Sequence, residues 1–193
     1  MSKPDAGGTP ATLALQRAGI RFTAHSYPHD AAVTGFGLEA AEKLGLDPDR
    51  VFKTLLAEAD GILVVAIVPV SGQLDLKALA AAVGAKKAVM ADPKLAERKT
   101  GYVLGGISPI GQKAPHRTVL DETAELYDTV FVSGGRRGFD LELSPADLQR
   151  HRRHRLSDRQ GPMTAPTGQF ATATSPISAG LISRSFRGTT RTV

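Results

Sequence analysis

The chain of 193 residues contains no cysteine, and with it go disulfides, zinc–thiolate sites and a thiol nucleophile of the protein's own. Aromatic residues are scarce, 5% against an apolar total of 41%, so a core has to be assembled mainly from Ala, Val, Leu and Ile. No apolar run approaches the ~20 residues that span a bilayer, and no secretory h-region appears, so a soluble, cytoplasmic protein is expected. Both nucleotide-binding glycine patterns, G-x-x-x-x-G-K-[ST] and G-x-G-x-x-G, are missing, which leaves no support for a nucleotide cofactor. There is no HExxH and no carboxylate–histidine grouping at metal spacing among His25, His29, His116, His151 and His154, so no metal is expected. The G-x-S-x-G elbow is absent too. An enzyme built on such a chain would have to draw its rate from positioning and oxyanion stabilisation.

What is present is a basic chain, formal net charge +5, which favours polyanionic partners without naming one. Much of the excess lies in Arg136-Arg137 and in Arg150-His151-Arg152-Arg153-His154-Arg155. Three helices are announced by a capping residue followed by proline, at Thr9-Pro10, Asp92-Pro93 and Ser144-Pro145. Two more are expected at Phe36 to Leu44, closed by Gly45, and at Leu76 to Val83, capped by Asp75 and closed by Gly84. Strands are expected at Ile20 to Ser26, Val51 to Ala57, Ile62 to Val68, Lys87 to Met90, Thr118 to Leu120, Thr129 to Val132 and Phe139 to Leu143. Asp60-Gly61 marks a hairpin between the second and third of them. Helices and strands interleave without a strict βαβ rhythm. That points to an α/β fold with a mixed, curved, barrel-like sheet and helices packed outside. One domain over residues 9–156 is expected, after a short disordered N-terminus (1–8) and before a polar, low-complexity tail (157–193).

Lys53 is the anomaly in this pattern. It lies in Val51-Phe52-Lys53-Thr54-Leu55-Leu56-Ala57, an otherwise interior strand, and shares a face with Val51, Leu55 and Ala57. Such an amine is paired, reaches out to water, guards a sheet edge or binds an anion. The loop Gly105-Gly106-Ile107-Ser108-Pro109-Ile110-Gly111 allows close approach of the backbone to a carbonyl or phosphate oxygen, although a plain tight turn reads the same way. Ser133-Gly134-Gly135-Arg136-Arg137-Gly138-Phe139-Asp140 reads as a hairpin loop with a basic tip, where Asp140 would serve to pair with an arginine.

Taken together, Val51–Leu55, Pro69–Asp75, Gly84–Lys87, Met90–Pro93, Thr100–Tyr102 and Gly105–Lys113 resemble, in order and spacing, the YbaK family. These are free-standing cysteinyl-tRNA(Pro) deacylases, related to the editing insertion of bacterial prolyl-tRNA synthetases. The resemblance runs from about Thr9 to about Leu148. It implies a barrel-like α/β fold and hydrolysis of the ester joining a wrong amino acid to the tRNA 3′ end, without a cofactor. Lys53 would be the essential lysine at the terminal adenosine, with Thr54 beside it. Gly105, Gly106, Ile107, Ser108 and Pro109 would form the G-x-x-x-P loop holding the aminoacyl end, and Tyr27, Phe36, Ser133 and Asp140 would complete the pocket. The implied nucleophile is the substrate cysteine's own thiol, which closes a thiolactone. Aminoacyl-tRNA is the implied partner, with prolyl-tRNA synthetase as a candidate source of tRNA specificity. Two alternatives stand beside it: an alanyl-tRNA(Pro) editing hydrolase, and a non-catalytic tRNA- or synthetase-binding module. The sequence mark of the latter would be loss of Lys53 or of the glycine loop, and both are present.

Overall fold

The computed structural model describes residues 8–33, 35–150 and 181–182. The expected disordered N-terminus and the polar tail therefore lie outside the described residues, apart from Gly8 and a two-residue strand at Leu181–Ile182. So does the arginine run beyond Arg150.

Helix α1 (Pro10–Arg17) begins where Thr9 accepts the Thr12 amide and Pro10 fills the first turn, whose amide needs no partner. Helices α2 (Phe36–Leu44), α3 (Leu76–Val83) and α4 (Pro93–Thr100) each end on a left-handed glycine, at Gly45, Gly84 and Gly101. A fifth, α5, occupies 145–150 among the described residues. The strands are β1 (Thr23–Ser26), β2 (Val51–Ala59), β3 (Ile62–Pro69), β4 (Ala88–Met90), β5 (Arg117–Asp121), β6 (Val130–Arg136), β7 (Phe139–Leu143) and β8 (Leu181–Ile182). A 3-10 turn, Glu122–Leu126, links β5 to β6. The first strand is shorter than expected: Ile20 turns into the core at the end of α1, its amide bonding Leu15 O, so pairing begins only at Thr23.

The strands form one mixed sheet in the order β1-β7-β6-β2-β3-β5-β8, with β4 on a second edge of β2. Parallel pairings join β2 to β6, β3 to β5 and β5 to β8; the rest are antiparallel. The sheet is not closed into a barrel, since β1 and β8 remain its two ends. Its faces are read off the period of two. Phe52, Leu56, Val65 and Ile67 face a core shared with Leu15 of α1 and Ala96 of α4. Ala57, Val64 and Ala66 face α3 through Leu79, and Val51 faces α2 through Ala40 and Ala41. Each wholly buried leucine, such as Leu15 or Leu79, contributes about 1.5–3 kcal/mol relative to exposure.

The feature that positions the site is a split beside β2. Strand β6 pairs with it only at Val51 and Phe52, while β4 pairs only from Ala57 to Ala59. Between them one flank of Lys53 to Leu56 has no strand neighbour among the described residues. Val51 O accepts the Val70 amide, so alternation along the β2–β3 ladder turns the peptide groups of Phe52, Thr54 and Leu56 toward this flank. The Phe52 position meets β6, and Leu56 O accepts the Ala91 amide. Thr54 stands between them, facing the gap. Pro69 fits the same logic, since it lies opposite Phe52, where an amide toward β2 is not required.

Candidate functional site

A cavity of 440 Å³ opens at this split, walled mostly by apolar groups, with Lys53, Thr54, Ser133 and Asp140 as its polar side chains. The first turn of α2 (Phe36, Gly37, Leu38) closes one side and the glycine loop (Leu104, Gly105, Ile107) another. Such a largely apolar hollow with a few convergent polar groups is the usual form of a small-ligand site.

Lys53 does not sit on an edge strand of the sheet, because β2 pairs with β3 on one side and with β6 and β4 on the other; it stands at the gap between those last two. Its half-buried amine donates to Gly72 O at 2.6 Å, and no carboxylate pairs with it among the described residues. Burial lowers its pKa, which marks a cation only partly compensated by protein groups. Gly37 lets α2 lie close to it: a Cβ there would come within 2.3 Å of the Val70 side chain and 3.9 Å of the Lys53 Cβ. The neighbouring Thr54 Oγ1 is buried and has no hydrogen-bond partner among the described residues.

Asp140 on β7 is opposite Ser133 on β6 and His25 on β1, and only 6% exposed. Burial pushes its carboxyl up to about 7. It makes no ion pair with the arginines of the hairpin tip, contrary to the simplest sequence reading, because the Arg136 and Arg137 guanidinia lie over the Phe139 and Phe36 rings instead. The Tyr27 hydroxyl, raised first by its own burial and then by the Asp140 and Glu39 charges, stays protonated. Behind Phe36, Glu39 is buried and burial pushes it upward. The Asp30 amide at 2.6 Å and the His29 ring at 2.7 Å together outweigh that and hold it below its ordinary value.

The glycine loop is shaped from within. Tyr102 Oη donates to Ile110 O at 2.7 Å, Gln112 Nε2 to Ser108 O at 2.8 Å, and the Ile110 amide to Ser108 Oγ at 3.2 Å, all buried. Gly105, at φ +80°, brings the chain so near Phe36 that a Cβ would lie 2.7 Å from its ring.

Of the expected site residues, Lys53, Phe36, Thr54, Gly105, Ile107, Ser133 and Asp140 line the cavity together. Tyr27, Gly106, Ser108 and Pro109 lie outside its lining. Tyr27 packs against the cluster of Ala40, Ala41, Val51, Val70 and Phe131, Ser108 is wholly buried in the loop's own hydrogen bonds, and Gly106 rests on the Arg136 backbone. The sequence reading missed Leu38, Leu104 and Val70, which line the cavity as well. Leu104 adjoins Gly105 and Leu38 lies two positions after Phe36, and their exposure, 38% and 54%, is what sets them apart from core leucines.

A family model described as an aminoacyl-tRNA editing domain matches residues 36–151, a stretch that contains most of this cavity wall. The protein named "Putative Cys-tRNA(Pro)/Cys-tRNA(Cys) deacylase EbsC" of Enterococcus faecalis is 46% identical over 106 residues, 54% of this chain and 65% of that protein. The chain thus matches somewhat less than two thirds of that relative's length. A proline–tRNA ligase of Moorella thermoacetica is 37% identical over 68 residues, 35% of this chain and 12% of the ligase. Among solved structures, one described as "a putative trans-editing enzyme for prolyl tRNA synthetase" superposes with a TM-score of 0.65 at 25% identity, covering 78% of this chain and 93% of the other.

Proposed function

Because the chain belongs to the aminoacyl-tRNA editing domain family, we propose that it hydrolyses misacylated tRNA in trans, with cysteinyl-tRNA(Pro) as its chief substrate. The observation that carries this reading is a cavity with a free-flanked lysine and, among the described residues, no activated protein nucleophile. Of the described residues, Ser133 and Thr54 supply its hydroxyls, and no histidine lines it. Among the described residues Ser133 Oγ accepts from the Gly135 amide and Thr54 Oγ1 has no partner, so neither has a general base in hydrogen-bond contact there.

A cysteinyl ester brings the missing group with it. Its thiol sulfur attacks the ester carbonyl, the C–S bond forms as the C–O bond to the ribose breaks, and the thiol proton passes to the departing ribose oxygen. The released thiolactone then opens in water. For this the protein has to fold the ester into attack geometry and stabilise the developing oxyanion, tasks of binding and preorganisation. The Lys53 amine, one hydrogen bond from Gly72 O, serves as donor and positive charge for the terminal adenosine. Thr54 lines the cavity beside Lys53, and its buried hydroxyl has no partner among the described residues. The Leu104–Ile107 loop shapes the space for a small side chain. The EbsC and prolyl-tRNA synthetase similarities favour a proline-tRNA substrate, and they favour a synthetase as the partner that selects the tRNA body.

The test is deacylation of cysteinyl-tRNA(Pro) by the Lys53→Ala protein. A loss of at least a hundredfold in kcat/KM, with the thermal midpoint kept, is expected. Undiminished activity in that folded variant would sink the reading.

A further inference from the structure

Arg137 sits at the tip of the β6–β7 hairpin, exposed, where a basic side chain would ordinarily be read as a solvated charge or a contact for RNA phosphate. Its geometry says otherwise. Its Nε donates to Leu104 O at 3.0 Å, and its guanidinium carbon lies 4.8 Å from the centroid of the Phe36 ring. These two contacts reach the two other elements of the cavity mouth, the glycine loop and the first turn of α2. The three elements also touch without it. Gly105 packs against Phe36, and a Cβ on Gly106 would come within 2.9 Å of Arg136 Cα. Loop, helix and hairpin therefore meet at one junction, and Arg137 is the side chain that ties all three.

We infer that Arg137 is a positioning residue, a staple that fixes the Phe36 ring and the Leu104–Ile107 loop as walls of the cavity. This inference rests on the deacylase reading for its catalytic consequence, though not for its structural one. Planarity is what the role requires. One face of the guanidinium covers the ring while the in-plane Nε–H reaches the carbonyl, a combination that a lysine ammonium does not reproduce. A phosphate contact has no such requirement, because charge alone serves it.

The experiment compares Arg137→Lys and Arg137→Ala with the parent protein, using two readouts. The first is amide exchange of Gly106, whose N–H closes a turn on Val103 O at 3.0 Å, against the Lys113 amide, which bonds Thr100 O at the base of the loop. Both variants should speed exchange at Gly106 by about tenfold, the equivalent of one charge-assisted hydrogen bond, and leave Lys113 unchanged. Unchanged Gly106 exchange in both variants overturns the staple, whatever the protein hydrolyses.

The second readout is deacylation of cysteinyl-tRNA(Pro) at several salt concentrations. The staple predicts that Arg137→Lys loses kcat as far as Arg137→Ala does, about tenfold, with the parent's salt dependence of KM. A lysine variant that works like the parent, beside an alanine variant with raised KM and a salt slope flatter by about one contact, assigns Arg137 to phosphate and overturns the proposal. A parent protein that does not deacylate any tRNA removes the substrate reading alone, since the exchange measurement stands without it.

Discussion

At the scale of single residues, the cavity holds two ionisable groups whose surroundings displace them from ordinary behaviour in ways that can be measured. The Lys53 amine is lowered by burial, and the Asp140 carboxyl is raised by burial to about 7. For Asp140 the consequence for stability has a definite sign. The folded protein holds a proton that the unfolded chain, with its carboxyl near 3.8, has already released. Between about pH 4 and pH 7 the folded state therefore binds more protons, and stability falls as pH rises through that window. The buried charge above it costs on the order of 4 kcal/mol at most. Asp140→Asn should remove this slope. Urea unfolding at pH 4.5 and at pH 8 should show the variant's gain over the parent growing toward pH 8, and an equal gain at both values would contradict the buried-carboxyl account. None of this was readable from the sequence. There Asp140 stood three residues beyond two arginines and looked like half of a surface ion pair, because the aromatic rings that capture both guanidinia come from Phe36 and Phe139, through folding.

At the scale of elements, the helix ends and the main hairpin were legible because their signals are local. Thr9, Asp75 and Asp92 cap the helices they were expected to cap, and Asp60-Gly61, at φ 48° and 81°, makes the turn between β2 and β3. The glycines need a finer distinction, which the structure supplies. Gly45 and Gly105 both have positive φ, at +66° and +80°, but nothing lies within 4 Å of a Cβ on Gly45, whereas one on Gly105 would strike the Phe36 ring at 2.7 Å. Gly45→Ala should cost only the backbone term, about 1 kcal/mol, with deacylation unchanged. Gly105→Ala should cost that plus about 1–3 kcal/mol of crowding, and should cut kcat/KM at least tenfold as Phe36 is pushed into the cavity. Thermal unfolding together with initial rates tests the pair, and similar rates for both variants would show that the loop does not shape the site. The strand partners were not legible. The parallel joins of β2 to β6 and of β3 to β5 pair residues 80 and 53 positions apart, and no local pattern encodes them.

At the scale of the whole molecule, the site exists because a mixed sheet parts beside its central strand. β6 leaves β2 after Phe52, β4 arrives at Ala57, and Lys53 and Thr54 stand in the opening between them. The sequence showed Lys53 as an interior charge and the glycine loop as a place of close approach. It could not show that helix α2, the loop and the β6–β7 hairpin converge on that opening, since their meeting depends on the sheet order. Among the described residues the hydroxyls lining this cavity have no general base in hydrogen-bond contact, and the chain has no thiol. The central claim is that the substrate supplies the nucleophile. Its most direct test is the ratio of single-turnover deacylation rates for cysteinyl-tRNA(Pro) and seryl-tRNA(Pro), two esters that differ in one atom. The account predicts rapid loss of cysteine and loss of serine slower by at least a hundredfold, whereas equal rates for the two would contradict it.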